Sequence, residues 1–208
     1  MGKVILDMAM SLDGFAAGPN GEDRGLNDWF FTPAGRSREI IEESVASTGA
    51  IVMGRRAYGV GDDAEGFSDT PYDAAHFVLT SKPPASTPKG NVSFTFVADG
   101  IDSVLEQARA AAGARNVAIG GGPSTAQGFV EAGVLDEIQV HLIPVLLGEG
   151  IRLFGQAAEP GADPGGRGPR RDAPQVPRGA LSGVAPGWPA SAEDRDRSGF
   201  GRAVRLPA

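Results

Sequence analysis

The chain changes character at Gln156, and that change limits what can fold. Of the 52 residues that follow, 17 are Gly or Pro, and they hold half of the 16 prolines in the chain. The apolar positions there, such as Val176, Leu181, Val184 and Val204, follow neither a strand nor a helix period. Such a segment cannot offset its ordering entropy by burying surface. Residues 157–208 are read as an irregular or disordered tail. It is either a low-complexity linker or out-of-frame translation, since Ala, Gly, Pro, Arg and Asp are what GC-rich codons supply. A fold must then be built from residues 1–156, enough for one domain.

What this domain can do is narrowed by what it lacks. There is no cysteine and there are only two histidines, His76 and His141. Disulfides, thiolate zinc and cysteine nucleophiles are excluded, and a His-rich metal centre or a Ser-His-Asp triad is disfavoured. The net charge is −7, and the tail carries +2, so the first 156 residues carry −9. That balance argues against a nucleic-acid or anionic-membrane surface. The apolar stretch at the N-terminus is too short for a membrane span or signal peptide, and a cytoplasmic protein is expected.

Strand and helix signals alternate through residues 1–156. Val4, Leu6, Met8 and Met10 share one face of a two-residue period, with Ile5 and Ala9 on the other, which suits a strand covered on both sides. Ser11 to Asp28 reads as a long loop. Thr32-Pro33 offers an N-cap and first-turn proline for a helix through Ser47, with Ile40, Ile41, Ser44 and Val45 facing inward. Further strands are expected at Ala50–Met53, His76–Thr80, Val92–Val97, Asn116–Ile119 and Glu137–Leu147. Helices are expected at Ile101–Ala112, capped by Asp99 or Asp102, and at Pro123–Ala132. The pattern predicts an α/β fold with a mostly parallel central sheet flanked by helices.

Three strand ends carry groups suited to phosphate. Ile119 runs into Gly120, Gly121 and Gly122, then Pro123, Ser124 and Thr125. Glycines allow close backbone approach, and the helix opening there presents unpaired N–H groups to an anion. Met53 runs into Gly54, Arg55 and Arg56, where guanidinium groups favour bidentate phosphate contacts. Leu79 runs into Thr80, Ser81 and Lys82, a set suited to a ribose 2′-phosphate. Together they point to a phosphorylated dinucleotide of the NADP type. His76 and His141 read as structural, Trp29-Phe30-Phe31 as core, and Asp62, Asp63 and Glu65 as a solvated loop.

In order and spacing these three segments resemble the NADPH-binding motifs of the dihydrofolate reductase fold. Ser11-Leu12-Asp13-Gly14, Leu135-Asp136-Glu137-Ile138 and Gly148-Glu149-Gly150-Ile151-Arg152-Leu153-Phe154 narrow the resemblance. Over Lys3 to Phe154 the chain is similar to the reductase domain of bacterial riboflavin biosynthesis and its single-domain relatives. The resemblance implies NADPH as cofactor, with Gly54, Arg55 and Arg56 on its phosphates and Thr80, Ser81 and Lys82 on the 2′-phosphate. It places Gly120, Gly121, Gly122, Ser124 and Thr125 on the pyrophosphate, with a cis Gly120–Gly121 bond and Gln127 near the same groove. Asp13 would be the catalytic residue, facing a small-molecule substrate to orient it or relay a proton, the substrate being a phosphoribosylamino-pyrimidine or another heterocycle or carbonyl compound. A homodimer is also implied.

The sequence departs from the family pattern in three places. Ala57 stands where relatives usually carry Thr, so one phosphate hydroxyl is missing. Asn27 to Phe31 does not match the helix carboxylate motif of folate reductases. The tail offers no alternating strands for the final antiparallel pair, which would leave a sheet edge exposed. A dihydrofolate or pterin reductase, or a nucleotide-binding protein without turnover, are the alternative functions.

Overall fold

The computed structural model describes residues 2–59, 67, 70–87 and 90–155. Along the chain these form β1 (Val4–Ser11), β2 (Phe15–Ala17), α1 (Asp28–Phe31), α2 (Arg36–Ser47), β3 (Thr48–Gly54) and α3 (Arg55–Tyr58). There follow β4 (Ala75–Leu79), β5 (Phe94–Val97), α4 (Gly100–Ala112), β6 (Asn116–Ile119), α5 (Pro123–Ala132), β7 (Glu137–Ile143) and β8 (Ile151–Arg152). Six strands make one sheet in the order β5-β4-β3-β6-β1-β7, and β2 pairs with β8 in a second. Every pairing in the large sheet is parallel, and the small one is antiparallel.

The alternation of side chains sorts two faces. Val4, Leu6 and Met8 of β1, Ala50 and Val52 of β3, and Val117 and Ile119 of β6 join one core cluster. Against them α4 packs Val104, Leu105, Ala108 and Ala112, and α5 packs Ala126 and Phe129. Gly113 at φ +62 and Gly133 at φ +66 end these helices in conformations that a side chain resists. The opposite face carries two smaller clusters. One gathers Ile51, Met53, Tyr58, Val78 and Ala118 over β3, β4 and β6. The other gathers Ala9, Leu26 and Ile143 at the exits of β1 and β7.

Several sequence expectations need correction. The segment from Ser11 to Asp28 holds β2, whose register to β8 joins Phe15 to Arg152 and Ala17 to Ile151. Thr32 does not open a helix. Its hydroxyl donates to the Asp28 carbonyl at 2.8 Å, closing α1, and α2 starts after Gly35 at φ +54. Asp99 is the N-cap of α4, yet its side chain makes no capping hydrogen bond. β7 stops at Ile143, before Pro144, which cannot donate to a ladder. Trp29 and Phe30 are half-buried, but Phe31 is 74% exposed. No helix among the described residues is long and apolar enough to cross a membrane. The expected tail at 157–208, with its missing strand pair, and the acidic loop of Asp62, Asp63 and Glu65 lie outside the described residues.

Candidate functional site

In a parallel sheet all carboxyl ends emerge on one edge, so neighbouring strands deliver their following loops side by side. β4, β3 and β6 are consecutive in the sheet, and Gly54 pairs in register with Leu79 while Val52 pairs with Ile119. The three phosphate-suited segments therefore meet. The Gly54 N–H donates to the Gly121 carbonyl at 3.3 Å, and the Gly120 N–H to Val52 at 3.0 Å. At Gly54 a Cβ would overlap the Thr125 hydroxyl. Gly121, at φ +98, leaves room for Ala57, whose methyl a Cβ at Gly121 would meet at 2.6 Å. The hydroxyl absent from Ala57 is thus absent beside the glycine turn itself.

Around that turn the donors differ in availability. Ser124 is exposed, and Thr125 is half-buried against Gly54. Arg55 donates to the Gly59 carbonyl at 3.3 Å and lies 5.3 Å from the Tyr58 ring centroid. Arg56 is exposed and reaches toward the 18–25 segment, 3.4 Å from where Gly21 would carry a Cβ. Thr80 is half-buried and holds the Lys82 amide at 3.1 Å, leaving the Ser81 and Lys82 side chains exposed. Gln127 donates to the Arg152 carbonyl at 2.8 Å and so ties α5 to β8. The expected cis Gly120–Gly121 bond is not found. No described peptide bond is cis, and positive φ at Gly121 and Gly122 turns the chain instead.

Asp13 is used as a clamp. Its carboxylate accepts from the Ser11 hydroxyl at 2.7 Å and from the Leu147 and Gly148 amides at 3.1 and 2.7 Å. Burial acts to raise its pKa, but those hydrogen bonds outweigh it and hold the carboxyl below the ordinary value. Arg152 completes the clamp, donating to the Asp13 carbonyl at 3.1 Å while its guanidinium lies 4.5 Å from the Phe15 ring centroid. The loop after β1 is thereby joined to the 147–152 segment.

A polar row lies between the two apolar clusters of the second face, and the sequence reading missed it. Asp7 on β1 sits at 2.5 Å from His141 Nε2 on β7, both side chains less than one-fifth exposed. The second Asp7 oxygen accepts from Ser44 of α2 at 3.3 Å, and the Tyr72 hydroxyl is 3.3 Å from Ser44. The His141 ring lies against Trp29, with centroids 4.1 Å apart, and Gln139 is its strand neighbour at 3.4 Å. Burial pushes the Tyr72 phenol above its ordinary pKa, the Ser44 hydrogen bond opposes this, and the Asp7 charge adds to it. Tyr72 thus remains a proton donor at neutral pH. The alternation of β7 placed His141 on a strand but gave no sign of a carboxylate on β1 opposite. The signal available was Asp7 itself, a charge in the middle of an otherwise apolar strand.

His76 is a different case: buried, with Nδ1 2.9 Å from the Ala74 carbonyl and aromatic rings around it. Burial lowers its pKa, against the Ala74 contact. Among the described residues no three His, Asp or Glu side chains are grouped to hold a metal ion.

Comparison with known proteins agrees with this architecture. The chain is 27% identical over 154 residues to the uncharacterized protein YwjB of Bacillus subtilis (strain 168), covering 73% of this chain and 82% of that one. A putative riboflavin biosynthesis protein from Shewanella sp. PV-4 matches in structure with a TM-score of 0.51 at 25% identity, over 74% of this chain and 84% of that one. Acinetobacter baumannii RibD shares the fold, with a TM-score of 0.51 at 20% identity, over 76% of this chain and 51% of the longer protein. The profile of the RibD C-terminal domain matches residues 2–161. With a six-stranded parallel sheet of the dihydrofolate reductase type and a match over most of its length, the chain belongs to the RibD C-terminal domain family, the reductase-like family of riboflavin biosynthesis.

Proposed function

We propose that this chain is an NADPH-dependent reductase of the riboflavin-biosynthesis type, acting on 5-amino-6-(5-phosphoribosylamino)uracil or a related small heterocycle. The observation that carries this reading is the convergence of Gly54–Arg56, Thr80–Lys82 and Gly120–Thr125 at three adjacent strand ends. The residues suit the cofactor. Two arginines and a lysine supply positive charge, and at Gly121 the chain turns without a side chain that would collide with Ala57. The opening of α5, with Pro123 in its first turn, aims unpaired N–H groups at the same place.

When bound, the cofactor supplies a hydride; the protein supplies position and dryness. Arg55 and Arg56 would hold its phosphates, and Thr80, Ser81 and Lys82 would read the 2′-phosphate. The 18–25 segment, adjacent to Arg56, would cover the site and exclude water. The same reading takes residues 1–156 as the reductase unit and 157–208 as an appended tail. It also takes the protein as a cytoplasmic homodimer whose partner is a small molecule, without nucleic acid or membrane.

The test is a calorimetric titration of the full chain with NADPH and NADH, followed by NADPH oxidation with the pyrimidine and with dihydrofolate. Micromolar NADPH binding, much weaker NADH binding and turnover of the pyrimidine are expected. A charge-assisted hydrogen bond contributes about 1.5–3 kcal/mol, so Arg56→Gln should weaken NADPH about tenfold to a hundredfold. Lys82→Met should reduce the preference for NADPH over NADH. Equal binding of the two cofactors by the unmodified chain would overturn the 2′-phosphate assignment.

A further inference from the structure

A carboxylate and an imidazole in the middle of a sheet face are costly unless each is hydrogen-bonded. Asp7 and His141 satisfy each other, and Ser44 fills the second carboxylate oxygen. The chain of contacts runs in one direction. With its single proton given to Asp7, Ser44 accepts from Tyr72, giving Tyr72–Ser44–Asp7–His141 across α2, β1 and β7. The pair engages Nε2 of His141 and leaves Nδ1 without a hydrogen-bond partner among the described residues. A carboxylate on one ring nitrogen fixes the tautomer and leaves the other nitrogen to exchange a proton. The buried Trp29 indole N–H, on the ring stacked against His141, also lacks a partner among the described residues.

The pair also lies where a reaction centre is needed. β1 is next to β6 in the sheet, and the Asp7 carbonyl is 3.9 Å from where Gly120 would carry a Cβ. Asp7 thus stands on the strand next to the glycine turn, at the level of Gly120, with its side chain on the α2 face. β1 and β7 carry none of the three phosphate motifs at their ends, so their side of the sheet is left for the acceptor.

We propose that His141, oriented by Asp7, is the substrate-side proton donor of the reduction, and that its acceptor is a planar heterocycle with a C=N or C=O group. This rests on the reading of the chain as a nicotinamide-dependent reductase. In the step, hydride from the reduced nicotinamide adds to the carbon of that group. The π pair moves to the nitrogen or oxygen, which takes the proton from Nδ1 of the imidazolium. The acceptor is reduced, the dihydronicotinamide is oxidised, and His141 is left neutral for reprotonation by solvent. Asp7 is a positioning residue that acts through the imidazole.

The experiment uses the full chain saturated with NADP⁺ and titrated with 5,6-diaminouracil, with the His141 ring followed by nitrogen NMR. NADPH affinity is measured in parallel by calorimetry. The His141 signals should move with ligand, and His141→Gln and Asp7→Asn should weaken the pyrimidine at least tenfold. NADPH affinity should stay within about twofold, which also shows that the variants fold. Turnover should fall about 100-fold or more in His141→Gln, in the range for loss of a positioned acid. Tyr72→Phe should show a smaller loss. Pyrimidine binding that leaves the His141 signals unmoved, or equal binding by the variants, overturns the proposal. So does absence of pyrimidine binding to an unmodified chain that binds NADPH. Absence of NADPH binding as well overturns the reductase reading on which it rests.

Discussion

The two faces of the central sheet are covered in different ways. On one, α4 and α5 bury Val104, Leu105, Ala108, Ala126 and Phe129 against Val4, Leu6, Ala50, Val52, Val117 and Ile119 of the strands. On the other, α2 lies over the sheet with Ile40, Ile41, Ser44 and Val45 only half-buried, and below it run Asp7, Gln139 and His141. The first face fills space and the second leaves it divided into two small apolar clusters with a polar seam between. The difference teaches which face holds the domain together and which can be given over to ligand. Polar groups on a sheet face forgo packing, and proteins accept that where function needs it.

Substitutions can break or sharpen this contrast. Phe129 is fully buried at the centre of the α5 contact, so Phe129→Ala should cost about 3–5 kcal/mol in a denaturant titration. A loss as small as that of a surface residue would mean that the α4–α5 face is not the main core. On the second face His76 gives a pH-dependent effect. Its folded pKa lies below the ordinary 6.5 because burial disfavours the charged ring. The unfolded chain binds the extra proton, so stability is complete above pH 6.5 and declines as pH falls through that value toward the folded pKa. His76→Phe should flatten the melting temperature across that window.

Ile40→Ala on α2 should cost about 1 kcal/mol or less, because the side chain is already half in water. A cost equal to that of Phe129→Ala would erase the distinction between the faces. The smallest effect is expected at Asp13, which is near the surface. Its lowered pKa stabilises the fold above the ordinary 3.8 and stops doing so as pH falls through the folded value. Asp13→Asn should therefore reduce acid sensitivity slightly, as read by the midpoint of acid unfolding.

The elements with strong local signals were legible in the sequence. β6 and α5 have the expected bounds because a short apolar run, a Gly-rich turn and Pro123 leave little choice. The convergence of the phosphate motifs was legible too, since parallel strands must deliver their ends to one edge. What could not be read was set by long-range contact. β2 is three residues long and exists through its pairing with β8, far along the chain at Ile151–Arg152. Thr32 lost its expected role because its hydroxyl found the Asp28 carbonyl first. Gln127 binds the Arg152 carbonyl and Asp13 the 147–148 amides, contacts that neighbouring residues do not announce. His141 seemed ordinary because its partner, Asp7, is 134 residues away in sequence.

The place of β1 in the sheet has a consequence for how the protein is made. β1 lies between β6 and β7 in the sheet, so both of its partners are synthesised more than 100 residues after it. Until Ile119 has emerged, Val4–Ser11 has two unpaired edges, and one stays open until β7 follows. Contacts of such sequence separation close slowly, and an unpaired apolar strand invites association between chains. Ribosomes that stall before that point would release a chain whose β1 has no partner strand, and chaperones that hold the nascent segment would matter more for this topology than for one that pairs neighbours in order.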